Sequence, residues 1–276
     1  MSGHRSHRRS PLVAFGAAVV ALSLVAGLVL AAGPAIQTFT PHSERQITNI
    51  DVLRQQIRNY YGDPLGAGVF APDSFYAQEA TSVARDGARW LALQSHWHPF
   101  GKVHHRAIVL DVDDTTLATW NYEIFSNWAY NPTTNATYVN GELFPAVPGM
   151  VDMVNDAAAE GYAIIFLTGR PAAQEPATLD NLTVKDGYPS PTTLDGGEDG
   201  LFTKPDVIDY PAYLQAACSG DPNGKCTTVH YKSATRAHIE SLGYDIVANF
   251  GDQFSDLNGG FADRTFKMPN PMYYLP

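Results

Sequence analysis

The residues best equipped for chemistry are five carboxylates and a lysine, spread over two separate stretches of the chain. Asp111-Val112-Asp113-Asp114-Thr115 holds three of the carboxylates; Gly251-Asp252-Gln253-Phe254-Ser255-Asp256 holds the other two, with Lys232 upstream. Gathered in one place, Asp111, Asp113, Asp252 and Asp256 would repel one another without a cation, and hard carboxylate oxygens with room for water suit magnesium. Lys232 stands before Ser233 and a helically spaced segment from Ala234 to Leu242, which Gly243 stops. A lysine at a helix start opposes the helix dipole, and a bound anion such as phosphate would reverse that penalty.

Strands must bring these residues together. The run Ala107-Ile108-Val109-Leu110 is apolar and rich in branched residues, as in a fully buried strand of a parallel sheet, and the first acidic motif begins where it ends. Two more runs, 163–167 and 245–250, end in Thr168-Gly169-Arg170 and in Gly251-Asp252. All three deliver polar residues at the carboxyl end, where open α/β sheets bind ligands. A lone Asp-x-Asp more often sits on a solvated turn. Three strand-end motifs in a fixed order are a different matter.

In that order, the Asp-x-Asp-x-Thr, the strand-terminal Thr168, Lys232 and the Gly-Asp-x-x-x-Asp of 251–256 resemble the four motifs of the haloacid dehalogenase-like (HAD) hydrolases. Tyr231-Lys232-Ser233, the run 243–257 and the tail Met268-Pro269-Asn270-Pro271-Met272-Tyr273-Tyr274 are similar to the branch of class B-type bacterial and plant acid phosphatases and vegetative storage proteins, subfamily IIIB. The resemblance runs from about residue 47 to the C-terminus and is weakest over 196–223. It implies a three-layer, Rossmann-like α/β fold, a parallel sheet with helices on both faces, and a small cap between the first two motifs.

By the same resemblance, Asp111 is the nucleophile that becomes an aspartyl-phosphate, and Asp113 is the general acid. Thr168, Gly169 and Lys232 meet the phosphate, and Arg170 either grips the substrate or pairs with a site carboxylate. Asp111, Asp252 and the backbone carbonyl of Asp113 would hold magnesium, with Asp256 orienting metal waters or Lys232. Asp114 and Thr115 shape the turn, and Thr115 would cap the segment that follows. The expected reaction is hydrolysis of a small phosphomonoester. Phosphotransfer to an alcohol on the same scaffold, and a noncatalytic storage or binding role, are the alternatives.

The 276 residues carry a net charge of −10 and are 45% hydrophobic, enough for one sizeable core and unsuited to nonspecific binding of nucleic-acid polymers. Basic residues up to Arg9 precede an apolar stretch, 12–32, so residues 1–42 read as an export leader, either cleaved or kept as a membrane anchor, before a domain over 43–276. Either route places that domain outside the cytoplasm, with the membrane touched only through the leader. There, Cys218 and Cys226 across a Gly/Pro/Asn-rich turn are most simply a local disulfide. Oligomeric state leaves no signal. Asn135 and Asn181 head glycosylation triplets that matter only in a glycosylating host.

Helical spacing predicts helices over 47–61 and 72–95, the second capped by Asp73 or Ser74, and another over 148–159 closed by Gly161. A further helix runs from Arg170 towards Leu182, and Thr192-Thr193-Leu194 is the candidate for the remaining strand. His96, His98, His104 and His105 read as a loop rather than a metal site. The aromatic-rich stretch 120–147 is either a cap that holds the organic part of a substrate or a compact core for that cap, and 196–223 is a lid or a surface insertion.

Overall fold

The computed structural model describes residues 40–95 and 105–275. Residues 1–39 of the leader, with His96, His98 and His104, lie outside them. His105, expected in the same loop, instead opens the first strand, and it is exposed.

Five strands form one parallel sheet: β1 (His105–Leu110), β2 (Ala163–Pro171), β3 (Leu201–Lys204), β4 (Tyr244–Gly251) and β5 (Thr265–Lys267), in the order β3-β2-β1-β4-β5. The chain builds outward from β1 through β2 to β3, then returns to place β4 on the other side of β1. The order therefore reverses between β1 and β4, and the crevice beyond their carboxyl ends is where such a sheet binds ligands. Leu110 is in register with both Phe166 and Phe250, so the motifs at the carboxyl ends of the three strands lie side by side.

Helices cover both faces, because each central strand is apolar on both sides. On one face Ile108, Leu110, Ile164, Phe166 and Phe250 pack on α2 (Phe75–Ser95) and α5 (Met150–Ala159). On the other, Ala107, Val109, Ile165, Leu167 and Ile246 pack on α7 (Ala212–Ala217) and α8 (Thr228–Ser241). A bulge in β4 sets this division: Ala107 pairs with Ile246 but Ile108 with Ala248, so Val247 and Ala248 both join the first face.

The predicted helices form. Asn49 caps α1 (Ile50–Tyr60), Ser74 rather than Asp73 caps α2 through Ala77 N–H, and Gly161 ends the turn after α5 with φ +84°. The helix after Arg170 is α6 (Glu175–Asp180), prolonged by a π turn over Asn181–Lys185.

The fourth strand corrects an expectation. Thr192–Leu194 is not a strand; Pro189 and Pro191 strip two N–H donors from the approach, and among the described residues the segment bonds the sheet through Thr192 with Ile164 alone. A tight turn at 194–198 then delivers Leu201–Lys204 to the sheet edge. The 196–223 excursion is thus part of the domain: it supplies β3, α7 and the buried Tyr210, Leu214 and Cys218. Cys218 and Cys226 are joined by a disulfide within that core.

Candidate active site

Asp111 leaves β1 with its N–H donated to the Phe250 carbonyl (3.0 Å), which ties the ends of β1 and β4. Asp114 turns the chain in a left-handed conformation (φ 52°), which Asp tolerates better than most residues. Its carboxylate accepts from Thr119 N–H (2.9 Å), the Thr119 hydroxyl (2.5 Å) and the Tyr273 hydroxyl (2.8 Å). Thr115 makes no cap, contrary to expectation: its hydroxyl is buried without a hydrogen-bond partner among the described residues, and the Thr116 hydroxyl donates to the Asp111 and Val112 carbonyls.

Lys232 also departs from its predicted place. α8 begins at Thr228, capped by the Thr227 hydroxyl, so the lysine lies in the second helical turn and aims sideways into the sheet end. Its ammonium is buried. It donates to Asp111 Oδ1 and to the Leu167 carbonyl, and pairs with Asp256 Oδ1 at 3.2 Å. Burial works to discharge it, but Asp111 and Asp256 outweigh burial and hold its pKa above the usual lysine value. Burial and crowding instead raise the pKa of Asp111 and of Asp252. Burial first, then Asp256 and Asp113, against the opposing pull of Lys232, push Asp111 up to about 7. Asp252 is driven well above the ordinary range by burial, Asp256, Asp111 and Asp114.

Oxygens of Asp111, Asp252 and Asp256 all lie within 4.8 Å of one another. Fully ionised, these three carboxylates would outnumber the single ammonium of Lys232 and leave two negative charges uncompensated in a buried pocket of hard oxygens. A divalent cation of the magnesium type fits that donor set in charge and in chemistry. The hydrogen bonds divide the three. Asp256 has one oxygen on Lys232 and accepts from Gln253 N–H (2.9 Å) on the other, the position of a residue that orients its neighbours. Asp252 Oδ2 accepts from Gln253 Nε2 (2.7 Å) and Asn270 Nδ2 (2.6 Å), leaving Oδ1 without a protein donor among the described residues.

Asp113 stands apart, its side chain 32% exposed beside the 3% exposed Arg170. The guanidinium grips both carboxylate oxygens, through Nη2 at 2.7 Å and Nε at 3.1 and 3.2 Å, donates from Nη1 to the Thr178 hydroxyl (3.0 Å) and lies over the Phe144 ring. Of the two roles expected for Arg170, the structure displays the pairing with a site carboxylate. Thr168 is buried and its hydroxyl accepts from Arg170 N–H (3.1 Å), while Gly169 is exposed with open space where a Cβ would stand.

The cap comprises α3 (Trp120–Ser126) and α4 (Pro132–Asn140). Trp120, Tyr122 and Phe144 are core residues, whereas Phe125 and Tyr130 are exposed. Glu123 is buried here (7% exposed) with no hydrogen-bond or ion-pair partner among the described residues, and burial, with Asp114 and Asp113 nearby, raises its pKa to about 7.

Three supporting residues escape sequence reasoning. Arg236 is fully buried and donates to the carbonyls of Asp256 (2.6 Å), Asn258 (2.5 Å) and Gly260 (2.9 Å), which clamps the loop that carries Asp256. Its signal is the i, i+4 spacing from Lys232, which puts both cations on one helix face. Asn270 and Tyr273 belong to the family-like tail, yet nothing local shows that they reach Asp252 and Asp114.

This arrangement of strand-end carboxylates around a buried lysine, on a parallel α/β sheet, defines the class. The chain belongs to the HAD superfamily, subfamily IIIB (Acid phosphatase), whose pattern matches residues 37–276. It is 32% identical over 180 residues to the stem 28 kDa glycoprotein of Glycine max, covering 63% of this chain and 62% of that protein. Acid phosphatase 1 of Solanum lycopersicum is 28% identical over 176 residues, 60% of this chain and 58% of the relative. The chain thus spans about three fifths of the length of these relatives. Among solved structures, the class C acid phosphatase from Bacillus anthracis with tungstate bound superposes with a TM-score of 0.53 at 20% identity, over 80% of this chain and 85% of that one, a likeness of fold.

Proposed function

We propose that this chain is an exported phosphomonoesterase that hydrolyses small phosphate esters through an aspartyl-phosphate, with its catalytic domain over 43–276 behind a leader at 1–42. The observation that carries the reading is the Lys232–Asp111 contact at the point where the strand order reverses, with Asp113 and Arg170 alongside. An Asp111 oxygen bonds to phosphorus as the ester oxygen departs, and Asp113 gives that oxygen a proton. Water then cleaves the acyl phosphate, with Asp113 taking a proton from it, and Asp111 is regenerated. Lys232, the Thr168 hydroxyl and Gly169 meet the phosphate oxygens, and Arg170 keeps the Asp113 carboxyl oriented. Magnesium, held by Asp111, Asp252 and the Asp113 backbone carbonyl, would neutralise charge on the transferring group. Exposed Phe125 and Tyr130 are the aromatic faces left for the organic part of the ester.

The disulfide and the glycoprotein relative support a location outside the cytoplasm. Among the described residues no helix is long and apolar enough to cross a membrane.

The test is turnover of nucleotides, sugar phosphates and aryl phosphates by the protein and its Asp111→Asn variant, with magnesium and with chelator. Activity should require both magnesium and Asp111. Undiminished phosphate release by the variant would refute the covalent route, and full activity in metal-free protein would refute the cation site.

A further inference from the structure

The tail after β5 folds back across the carboxylates. Its contacts there orient hydrogen bonds, a different task from filling volume. An amide side chain presents a donor at one end and an acceptor at the other, so what binds one end decides what the other offers. Asn270 Oδ1 accepts from Met272 N–H (2.8 Å), a local turn that leaves only its NH2 to face Asp252 Oδ2 (2.6 Å). Gln253 Oε1 accepts from Leu275 N–H (3.1 Å), so its NH2 too must face Asp252 Oδ2 (2.7 Å), and that NH2 also reaches the Tyr273 carbonyl (3.4 Å). Two backbone N–H groups of the tail thereby dictate that both amides donate to one oxygen of Asp252. The Tyr273 hydroxyl anchors the same segment to Asp114, on the turn after Asp111. Without this fixing, either amide could rotate and turn an oxygen towards a buried carboxylate.

We propose that residues 269–275 are a positioning strap for the cation site: by locking the Asn270 and Gln253 amides as donors to Asp252 Oδ2, the strap holds Oδ1 towards the cation. This rests on the reading of Asp111 and Asp252 as cation ligands. Asn270 is a positioning residue that acts through Asp252 and touches neither ion nor ester.

The experiment is magnesium titration by calorimetry of metal-stripped protein, in the unmodified chain and in Asn270→Ala and Asn270→Ser. Serine can keep the turn to Met272 N–H but cannot also reach Asp252, so it separates loss of the donor from loss of the turn. Partners of metal ligands typically contribute 10–100-fold in affinity, so both variants should bind magnesium about tenfold more weakly or worse. The KM for an aryl phosphate at saturating magnesium and the unfolding temperature of the metal-free protein should stay near those of the parent, and excess magnesium should restore kcat. If Asn270→Ala does not fold, Asn270→Ser decides alone. A parental magnesium affinity in Asn270→Ser overturns the strap, as does weak binding matched by an equal loss of metal-free stability. An unmodified chain that binds no magnesium overturns the cation site itself and the strap with it.

Discussion

The two faces of the sheet are held by different means. On the α2/α5 face the strands meet hydrocarbon: Phe166 and Phe250 are fully buried, Phe250 stacks on Phe266 (4.6 Å between centroids), and Gly87 lies so close that a Cβ there would stand 2.6 Å from the Phe250 ring. On the α7/α8 face, α8 buries Tyr231 and Ile239 but also Lys232, Thr235 and Arg236, and a disulfide closes the segment that precedes it. A helix that carries two cations to the sheet end gives up apolar contact along its buried side. The second face thus relies on ion pairs, carbonyl clamps and a covalent link where the first relies on packing, and the proposed chemistry draws on the second.

Lys232 is the residue on which the α8 side of the site depends most. Lys232→Met should abolish turnover and, in metal-free protein, remove about 3 to 5 kcal/mol of stability, because Asp111 and Asp256 lose the charge that compensates them. Magnesium should return much of that stability, and thermal unfolding with chelator and with magnesium reads the difference. Metal-free stability equal to the parent's would show that the ion pair does not hold this face.

Phe250→Ala attacks the other face. It should cost about 3 to 5 kcal/mol through lost burial and the cavity left behind, seen as a shift of the denaturant midpoint. Its magnesium stabilisation should match the parent's, since the change touches no charged group. A selective loss of metal response would mean that the two faces are not separable.

Glu123 is a buried carboxyl with no partner among the described residues, on a helix whose Tyr122 belongs to the hydrocarbon face. Its pKa rises from 4.5 to about 7 on folding, so the folded state binds the extra proton. The resulting penalty is absent below about pH 4.5, grows as pH rises through the interval, and is complete above about pH 7, on the order of 3 kcal/mol. Glu123→Gln should therefore match the parent near pH 4 and exceed it in stability at pH 8. Unfolding curves at the two pH values that shift equally would remove this account.

The smallest effect belongs to the disulfide. With Cys218 and Cys226 eight positions apart in sequence, the closed loop is short and contributes about 2 to 3 kcal/mol. Reduction should lower the unfolding temperature and leave the KM for an aryl phosphate unchanged. Two freely alkylated thiols in unreduced protein would exclude the bridge.

Much of the fold is legible in short stretches of sequence. The three central strands follow from branched apolar runs, and α1, α2 and α5 follow from periodicity with Asn49, Ser74 and Gly161 at their ends. Each signal is contained within about a dozen residues. The edge strands are different: Leu201–Lys204 and Thr265–Lys267 are four and three residues long, too short for a periodic pattern, and they exist because a longer neighbour offers free N–H and C=O groups. The start of α8 has a local signal in Thr227, a good cap, but apolar spacing alone starts the helix too late, because its opening residues include the polar Thr228, His230 and Lys232.

The sequence by itself determined which residues could do chemistry and that strands would deliver them to one end, because residue type and local propensity are properties of short segments. Tertiary structure alone decided which partner each carboxylate takes. Asp113 takes Arg170 from 57 residues away, Asp111 takes Lys232 from 121, and Asp114 takes Tyr273 from 159. Those pairings depend on the strand order, the β4 bulge and the return of the tail. No local pattern encodes them, since each is chosen by what the folded sheet brings within about 3 Å of a buried charge that must be compensated.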